Sequence, residues 1–368
     1  MSDLASRELP NPFLFADGTE VRSPQDWRWR RREIADLIVG VEYGGLPPAP
    51  AETRAEALHA FAVEWLDGAI YHTYHVVTGP YRPVSFLLSV LVPPGDGPFP
   101  VVLNGDACWR YVTDRVTTEV LRRGMILAQF NRCEIAPDMY NSDRTTGIYL
   151  AYPEEAYGAL SAWAWGYHRC VDVLSALPQV DPARIGIVGH SRGGKATLLA
   201  GATDERIAVT GANNSGSGGA GSYLWQGPES ETLADSLRMI PYWFGPELAA
   251  YLGREAELPF DQHFLKALVA PRALLTCEAH GDPWANGTGT WRTHLAAREV
   301  YRFLGAEERL GIWFREGGHQ HGWEDWVTFL DFMQWQLGGG DEPAGLNANP
   351  FPGLPPAFSW TAPLEESR

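Results

Sequence analysis

The stretch that most limits what this chain can fold into is RIGIVGHSRGGKATLLAGA, residues 184–202. A short apolar run of the kind that forms a buried strand ends in Gly-His-Ser-Arg-Gly, and a helical run of small and apolar residues follows at once. Glycines on both sides of a serine let the backbone pack closely at a strained strand-to-helix turn, the nucleophile elbow. This context predicts that Ser191 is a nucleophile, with a purely structural glycine–serine turn as the alternative.

Short apolar runs and helical segments alternate through most of the chain. Runs such as FPVVLNGD and GMILAQFNR are typical of central strands covered on both faces, and TTEVLRRG and EDWVTFLDFMQWQL are typical of helices. This alternation predicts a three-layer sandwich with a mostly parallel central sheet and helices on both faces. Together with the nucleophile elbow it predicts an α/β-hydrolase fold. The pair YHTYHVVTG and VSFLLSVLVPP predicts antiparallel strands at one edge.

Three segments interrupt this alternation within a single predicted domain, residues 1–368. Residues 1 to about 65 form a predicted helical lead-in, in which Ser23 caps a helix and Pro24 takes its first position. Residues from about 216 to 262 are rich in glycine and aromatics and predict a cap over the strand ends. The tail 338–368 is rich in glycine and proline, which indicates a surface segment of little regular structure.

Composition and charge exclude several classes of function. The formal net charge of −16 argues against nucleic-acid binding, which needs clustered Lys and Arg. The four cysteines, at 108, 133, 170 and 277, form no CxxC pair, so we expect reduced thiols and neither a metal nor another cofactor. No apolar run is long enough to span a membrane, and MSDLASRELPNPF lacks the pattern of a signal peptide. These features predict a cytoplasmic protein without a membrane partner.

A serine nucleophile needs a base and an acid that orients it, and in this fold they follow the serine in the order acid, then histidine. His319 and His321 follow the last predicted strand, where Gly317 and Gly318 free the loop to turn back toward the elbow. One of them is the predicted base, and the other supports the loop. Asp282, in the loop after the strand ALLTCEAH, is the predicted acid.

Two features leave alternatives open around this predicted site. Glu278, at the end of the same strand, is the second candidate for the acid, and a simple turn before a proline is the structural alternative for Asp282. The predicted oxyanion hole uses the backbone N–H of Arg192 and a donor near Gly105 in the loop after VVLNGD. Lys195 lies one helical turn after the nucleophile, where it contacts either substrate or a surface carboxylate.

Taken together, these residues resemble the glucuronoyl esterases of carbohydrate esterase family 15, α/β-hydrolases that cleave esters of glucuronic acid in plant cell walls. The resemblance spans most of the chain. GHSRGGK resembles the family's Gly-Cys-Ser-Arg-x-Gly-Lys, and DERIAVTGANNSGSGGAG resembles its next strand and Ser-Gly-x-Gly-Gly turn. LPNPFLFADG, WAWG, LPFDQHFLKALVAPRALL and GGHQHG complete the likeness.

The resemblance implies a role for individual residues of this sequence. It implies that Ser191 is the nucleophile, that Arg192 belongs to the oxyanion hole, and that Lys195 and Trp284 line the substrate cleft. It favours His321 as the base over His319, because His321 matches the second histidine of the family's His-x-His-Cys.

The sequence also departs from the family pattern at three positions. Asn214 occupies the place of a catalytic Glu in many members, so the acid must come from elsewhere, and Asp282 is well placed. His190 and Gly322 replace two cysteines of the family, so the disulfide that would join the nucleophile and base loops is missing. The family's uronate-recognising Gln and Glu have no convincing match in LADSLRMIPYWF.

The sequence therefore predicts a serine esterase that acts through an acyl-enzyme on a carbohydrate-linked or small carboxylic ester. An acetyl xylan esterase or a general carboxylesterase is the alternative within enzymes. A ligand-binding protein that has the hydrolase fold without turnover is the alternative outside them.

Overall fold

The computed structural model describes residues 8–80, 82–139 and 144–363. Within them, nine strands form one sheet in the order β1-β2-β3-β5-β4-β6-β7-β8-β9. The strands are β1 Thr53–Val63, β2 Ala69–Thr78, β3 Val84–Val92, β4 Phe99–Asn104, β5 Ile126–Phe130, β6 Val180–His190, β7 Val209–Asn213, β8 Ala273–Ala279 and β9 Leu310–Arg315.

The sheet is antiparallel at one end and parallel in the rest. Strands β1, β2, β3 and β5 pair in antiparallel fashion, as the sequence predicts for the edge. From β5 through β4, β6, β7 and β8 to β9 every pair is parallel, so the carboxyl ends of these strands meet at one edge of the sheet. Ligand sites of open α/β sheets lie at this edge, and here it carries the elbow.

Helices cover both faces of the sheet and complete the three-layer α/β-hydrolase fold. In β4, Val101 and Leu103 belong to one core, whereas Val102 belongs to the other, as the twofold alternation of a strand requires. The first core includes residues of α1, α4, α5, α7 and α8, and the second includes residues of α2 and α9. The helices are α1 Pro24–Tyr43, α2 Asp114–Arg122, α3 Ile148–Ala151, α4 Ala159–Ser175, α5 Arg192–Thr203, α6 Leu233–Met239, α7 Gln262–Val269, α8 Gly287–Phe303 and α9 Trp323–Gln336.

The predicted lead-in is only partly helical. Ser23 accepts a hydrogen bond from the backbone of Asp26 at 3.1 Å and caps α1, as expected. Residues Thr53–Val63, however, form the edge strand β1, which the analysis of the sequence assigned to the helical lead-in. Almost every residue of β1 is exposed on both faces, so the strand carries no alternation of buried and exposed side chains that could reveal it.

The other two segments carry little regular structure. Between residues 216 and 262 the chain forms α6 and several short 3-10 turns, including Pro241–Trp243. Residues 338–363 contain neither helix nor strand among the described positions, which fits their glycine and proline content. The outermost parts of the predicted lead-in and tail, 1–7 and 364–368, lie outside the described residues.

A buried ion pair joins the loops after β4 and β5 to the elbow. The carboxylate of Asp106 accepts hydrogen bonds from the Arg132 guanidinium and, at 2.9 Å, from the backbone N–H of His190, and both charged side chains are fully buried. A Cβ atom on Gly193 would lie 2.1 Å from the same carboxylate. The second glycine of the elbow is therefore required because Asp106 packs against its backbone.

Replacing Arg132 tests the importance of this pair. The Arg132→Met change leaves the Asp106 carboxylate buried without its cation, which we expect to lower the free energy of unfolding by about 3–5 kcal/mol. Arg298→Met removes a cation from an exposed pair with Glu307 and should cost less than about 1 kcal/mol. Urea unfolding followed by circular dichroism measures both. If both variants lose the same free energy of unfolding, the buried Asp106–Arg132 pair stabilises the fold no more than an exposed pair does.

Candidate active site

Ser191 lies at a strained turn between β6 and α5. Its φ of 56° and ψ of −123° place a residue with a side chain in a region that favours glycine, a strain of about 1–3 kcal/mol. Its backbone N–H donates to the Asn213 carbonyl at 2.8 Å, which extends the pairing of β6 and β7 to the turn itself. A Cβ on Gly189 would lie 2.5 Å from the Gly193 carbonyl oxygen, so both glycines of the elbow are sterically required.

Three side chains from different loops form a hydrogen-bonded chain at this turn. His319 Nε2 lies 2.9 Å from Ser191 Oγ, and His319 Nδ1 lies 2.6 Å from Asp282 Oδ2. Ser191 comes from the elbow, Asp282 from the loop after β8 and His319 from the loop after β9. This is the geometry by which an imidazole removes a proton from a hydroxyl while a carboxylate orients its other nitrogen.

Asp282 is held in its ionised form by two donors. Its side chain is nearly buried, and burial by itself raises the pKa, but the hydrogen bond and charge interaction with His319 and the amide of Asn214 together bring the pKa below its usual value. Asn214 Nδ2 donates to Asp282 Oδ2 at 2.7 Å. The amide that replaces the family's Glu therefore supports the carboxylate that orients His319.

The structure contradicts the preference for His321 over His319. His321 is buried and its ring stacks on Trp326 of α9 with the ring centroids 4.6 Å apart, so it points away from Ser191 into the core. Burial lowers the pKa of His321 well below its ordinary value, which keeps the ring neutral. Of the two histidines, His319 is the one whose ring nitrogen reaches Ser191 Oγ.

Two further predicted residues are placed elsewhere than expected. Glu278 is fully buried within β8, where burial raises its pKa to about 8, and the carboxylate bonded to His319 belongs to Asp282. The backbone N–H of Gly105, a predicted oxyanion donor, donates to the Tyr167 hydroxyl at 2.7 Å. Gly105 is therefore not available to a substrate, because the buried Tyr167 already uses its only donor.

Arg192 is placed where the sequence predicts. As the first residue of α5 it has no carbonyl one turn earlier for its backbone N–H to bind, and that group lies at the positive end of the helix dipole. Its guanidinium lies between the rings of Trp109 and Trp243, 5.4 and 4.8 Å from their centroids. Arg192 can therefore present both a backbone donor and a cation to a developing negative charge.

A cavity of about 320 Å³ opens beside Ser191 and His319, a size typical of small-molecule sites. Lys195 and Trp284, both predicted cleft residues, line it. The nearly buried Lys195 Nζ lies 2.9 Å from Glu231 Oε2. The remaining lining residues are Arg192, Asn214, Ser215, Gly216, Met239, Ile240, Trp243 and Ala285.

Glu231 is a cavity residue that the analysis of the sequence missed. Its Oε1 accepts a hydrogen bond from Ser236 at 2.8 Å, and its backbone N–H donates to the Trp284 carbonyl at 3.0 Å. It lies two residues before LADSLRMIPYWF, which has no convincing match to the family's uronate-recognising Gln and Glu. The signal that could have found it is the capping sequence Thr232-x-x-Asp235, which marks a helix start directly after Glu231.

Ring contacts of His190 join the nucleophile and base loops in this chain, tilted against His319 and stacked on His321. The ring of His190 lies 4.6 Å from that of His319 and 5.6 Å from that of His321, between centroids. Burial and, to a smaller extent, the nearby His319 lower the pKa of His190 to about 4, so the ring is neutral near pH 7. The four cysteines are free thiols, and Gly322 begins the turn into α9.

The described residues contain neither a cluster of metal ligands nor a helix that could span a membrane. Within 8–80, 82–139 and 144–363, no three His, Cys, Asp or Glu side chains converge as metal ligands. Over the same residues, no helix combines the length and apolar character needed to cross a bilayer.

The sheet order, the elbow and the Ser191–His319–Asp282 chain define an α/β-hydrolase with a serine hydrolase site. A family model described as fungal glucuronyl esterase matches residues 76–305. A 4-O-methyl-glucuronoyl methylesterase of Podospora anserina is 34% identical over 86% of this chain, which spans just under two thirds (64%) of that relative's length. The chain therefore belongs to the glucuronoyl esterase family, as the resemblance in the sequence implied.

Solved structures of the same family superpose on most of the chain. A carbohydrate esterase family 15 glucuronoyl esterase from Caldicellulosiruptor kristjansonii is 31% identical, with a TM-score of 0.84 and 97% of both chains covered. A mutant glucuronoyl esterase from Sporotrichum thermophile, in complex with methyl 4-O-methyl-β-D-glucopyranuronate, is 27% identical, with a TM-score of 0.76 and coverage of 92% and 89%.

The relatives correct one prediction. The expected cytoplasmic location is wrong, because the relatives are fungal enzymes named for 4-O-methyl-glucuronoyl esters. Glucuronoyl esters of plant cell walls, the substrate class that the resemblance implied, lie outside the cells that degrade them.

Substitution of the two histidines separates their roles. His319→Ala removes the ring that contacts Ser191 and should lower kcat/KM by roughly 10³-fold or more. His321→Phe keeps the stack on Trp326 and should retain activity within about tenfold. Steady-state ester hydrolysis measures both, with circular dichroism as the control for folding. The reverse order of effects would restore His321 as the base.

Exchange of the acid tests the Asp282–Asn214 contact. Asp282→Asn should lower kcat by about 10³–10⁴-fold, because a neutral amide does not stabilise the imidazolium. Adding Asn214→Glu to that variant returns a carboxylate beside the same ring, and we expect at least about tenfold recovery. Asn214→Glu alone should lower activity, because two adjacent carboxylates share a proton. A double variant no more active than Asp282→Asn would contradict the expectation that a carboxylate at position 214 can replace that of Asp282.

Proposed function

We propose that this protein hydrolyses esters of 4-O-methyl-glucuronic acid through a covalent acyl-enzyme on Ser191. The observation that carries the proposal is the hydrogen-bonded chain of Ser191, His319 and Asp282, which opens directly onto the cavity that Lys195, Glu231 and Trp284 line. Membership in the glucuronoyl esterase family supports the substrate class, as does the uronate ester bound in the Sporotrichum thermophile relative.

In the first half-reaction His319 Nε2 takes the proton of Ser191 as Oγ attacks the ester carbonyl. Asp282 stabilises the imidazolium that forms, because its carboxylate contacts Nδ1 at 2.6 Å and stays ionised. His319 then gives the proton to the departing alcohol. In the second half-reaction the same ring activates a water that releases the uronic acid and regenerates Ser191.

The negative charge of the tetrahedral intermediate develops at the start of α5. The backbone N–H of Arg192 and the dipole of the helix favour a negative charge at that point. Arg192 also lines the same cavity, and its guanidinium adds further N–H donors. Because these donors are fixed before the substrate arrives, little reorganisation is needed as the charge forms.

Recognition of the sugar falls to Lys195, Glu231 and Trp284 in the lining of the same cavity. Lys195 and Glu231 form a nearly buried pair, which supplies ammonium donors and carboxylate acceptors for the hydroxyls of a pyranose ring. Trp284 is 41% exposed, and its indole offers an apolar face to a sugar ring. A plain acetate ester reaches none of these groups, so the pair distinguishes a uronate ester from a simple ester.

The decisive experiment compares hydrolysis of the methyl ester of 4-O-methyl-glucuronate with that of 4-nitrophenyl acetate. We expect the larger kcat/KM for the uronate ester and a loss of at least about 10³-fold for both esters in Ser191→Ala. Glu231→Gln should raise KM for the uronate ester by about tenfold and affect the acetate far less. Preference for the acetate would reject the uronate as substrate, and full turnover by Ser191→Ala would reject the mechanism.

A further inference from the structure

Asp138 gathers three donors on one nearly buried carboxylate beside the active site. Its Oδ2 accepts from the Arg192 guanidinium at 2.8 Å. Its Oδ1 accepts from the Tyr242 hydroxyl at 2.9 Å and from the Trp243 indole N–H at 3.1 Å. Only 5% of its side chain is exposed, so these contacts satisfy a charge that has little access to water.

The guanidinium that Asp138 holds is otherwise weakly fixed. The Arg192 side chain is 33% exposed, and its other recorded neighbours are the faces of Trp109 and Trp243. A long, flexible side chain in a partly open cavity samples many rotamers, and holding one of them costs up to about 2 kcal/mol. A buried carboxylate on one guanidinium nitrogen selects the rotamer and leaves the other N–H groups free to face the cavity.

The carboxylate also has a fixed place of its own. Arg132 Nη2 lies 3.8 Å from Asp138 Oδ2, and Arg132 is itself paired with Asp106 below the elbow. Charges therefore alternate from Asp106 through Arg132 and Asp138 to Arg192. Asp106, Arg132 and Asp138 are buried and are therefore held in place by the core. Through these contacts the core determines where the Arg192 guanidinium lies.

We propose that Asp138 is a positioning residue that aims the Arg192 guanidinium at the oxyanion of the reacting ester and ties it to the turn Pro241–Trp243. This inference rests on the proposed function, because it assigns Arg192 to the charge that forms during ester hydrolysis. Asp138 acts through Arg192 and not on the substrate, since its two carboxylate oxygens are occupied by the donors described above.

If Asp138 positions Arg192, its loss should affect kcat and not KM. A guanidinium aimed at a charge that exists only in the transition state contributes to kcat and little to KM. Loss of its positioning residue should therefore lower kcat, and the loss should vanish when the guanidinium itself is absent. A residue that merely stabilises the fold would lower activity by the same factor with or without Arg192.

The test is a double-mutant cycle on hydrolysis of the methyl ester of 4-O-methyl-glucuronate. Asp138→Asn should lower kcat by about 10–100-fold and change KM by less than about threefold. In the Arg192→Ala background the same substitution should change kcat by less than about twofold. Tyr242→Phe removes one donor but leaves the Asp138–Arg192 contact, and it serves as the matched control, with at most about a threefold effect.

Each outcome decides the proposal. Effects of Asp138→Asn and Arg192→Ala that multiply independently would overturn it, as would a rise in KM at constant kcat. If Asp138→Asn does not fold, Asp138→Glu keeps the buried charge and moves the carboxylate outward, and the same dependence on Arg192 is required. A wild-type chain inactive on the uronate ester refutes the proposed function, whereas an active one insensitive to Asp138 refutes only this inference.

Discussion

The site depends on one carboxylate that takes no part in its chemistry. Asp106 holds the backbone of His190 and the guanidinium of Arg132, so three loops that follow β4, β5 and β6 are fixed to a single buried charge. The strained backbone of Ser191 persists because its surroundings allow no alternative: Asp106 lies against Gly193, and Asn213 holds the N–H of Ser191. The position of the Ser191 hydroxyl therefore depends on these buried contacts.

Polar groups around the nucleophile then divide into two sets with different surroundings. His190 and His321 are buried and neutral, and they act as flat packing surfaces. His319 has 40% of its side chain exposed and carries polar partners on both nitrogens. The same residue type thus serves as core and as candidate base within a few ångströms, and burial decides which.

Local features of the sequence are sufficient to predict the fold and to select Ser191, Asp282 and Arg192 as candidate site residues, because a strand, a glycine turn and a helix start are each encoded by neighbouring residues. Local sequence does not distinguish His319 from His321, because both follow the same strand. They differ in that the ring of His321 packs on Trp326 in the core. The N–H of Gly105 is occupied by Tyr167, a residue 62 positions away, which no local pattern encodes. Long-range contacts of this kind account for what sequence reasoning missed.

The ring contacts between the elbow and the base loop have a consequence for how the site is assembled. The disulfide that joins these loops in the family is missing from this sequence, and His190 lies against His319 and His321 without a covalent bond between the loops. Assembly of the site therefore needs neither an oxidant nor a disulfide isomerase, and a reducing agent leaves the alignment of serine and base intact.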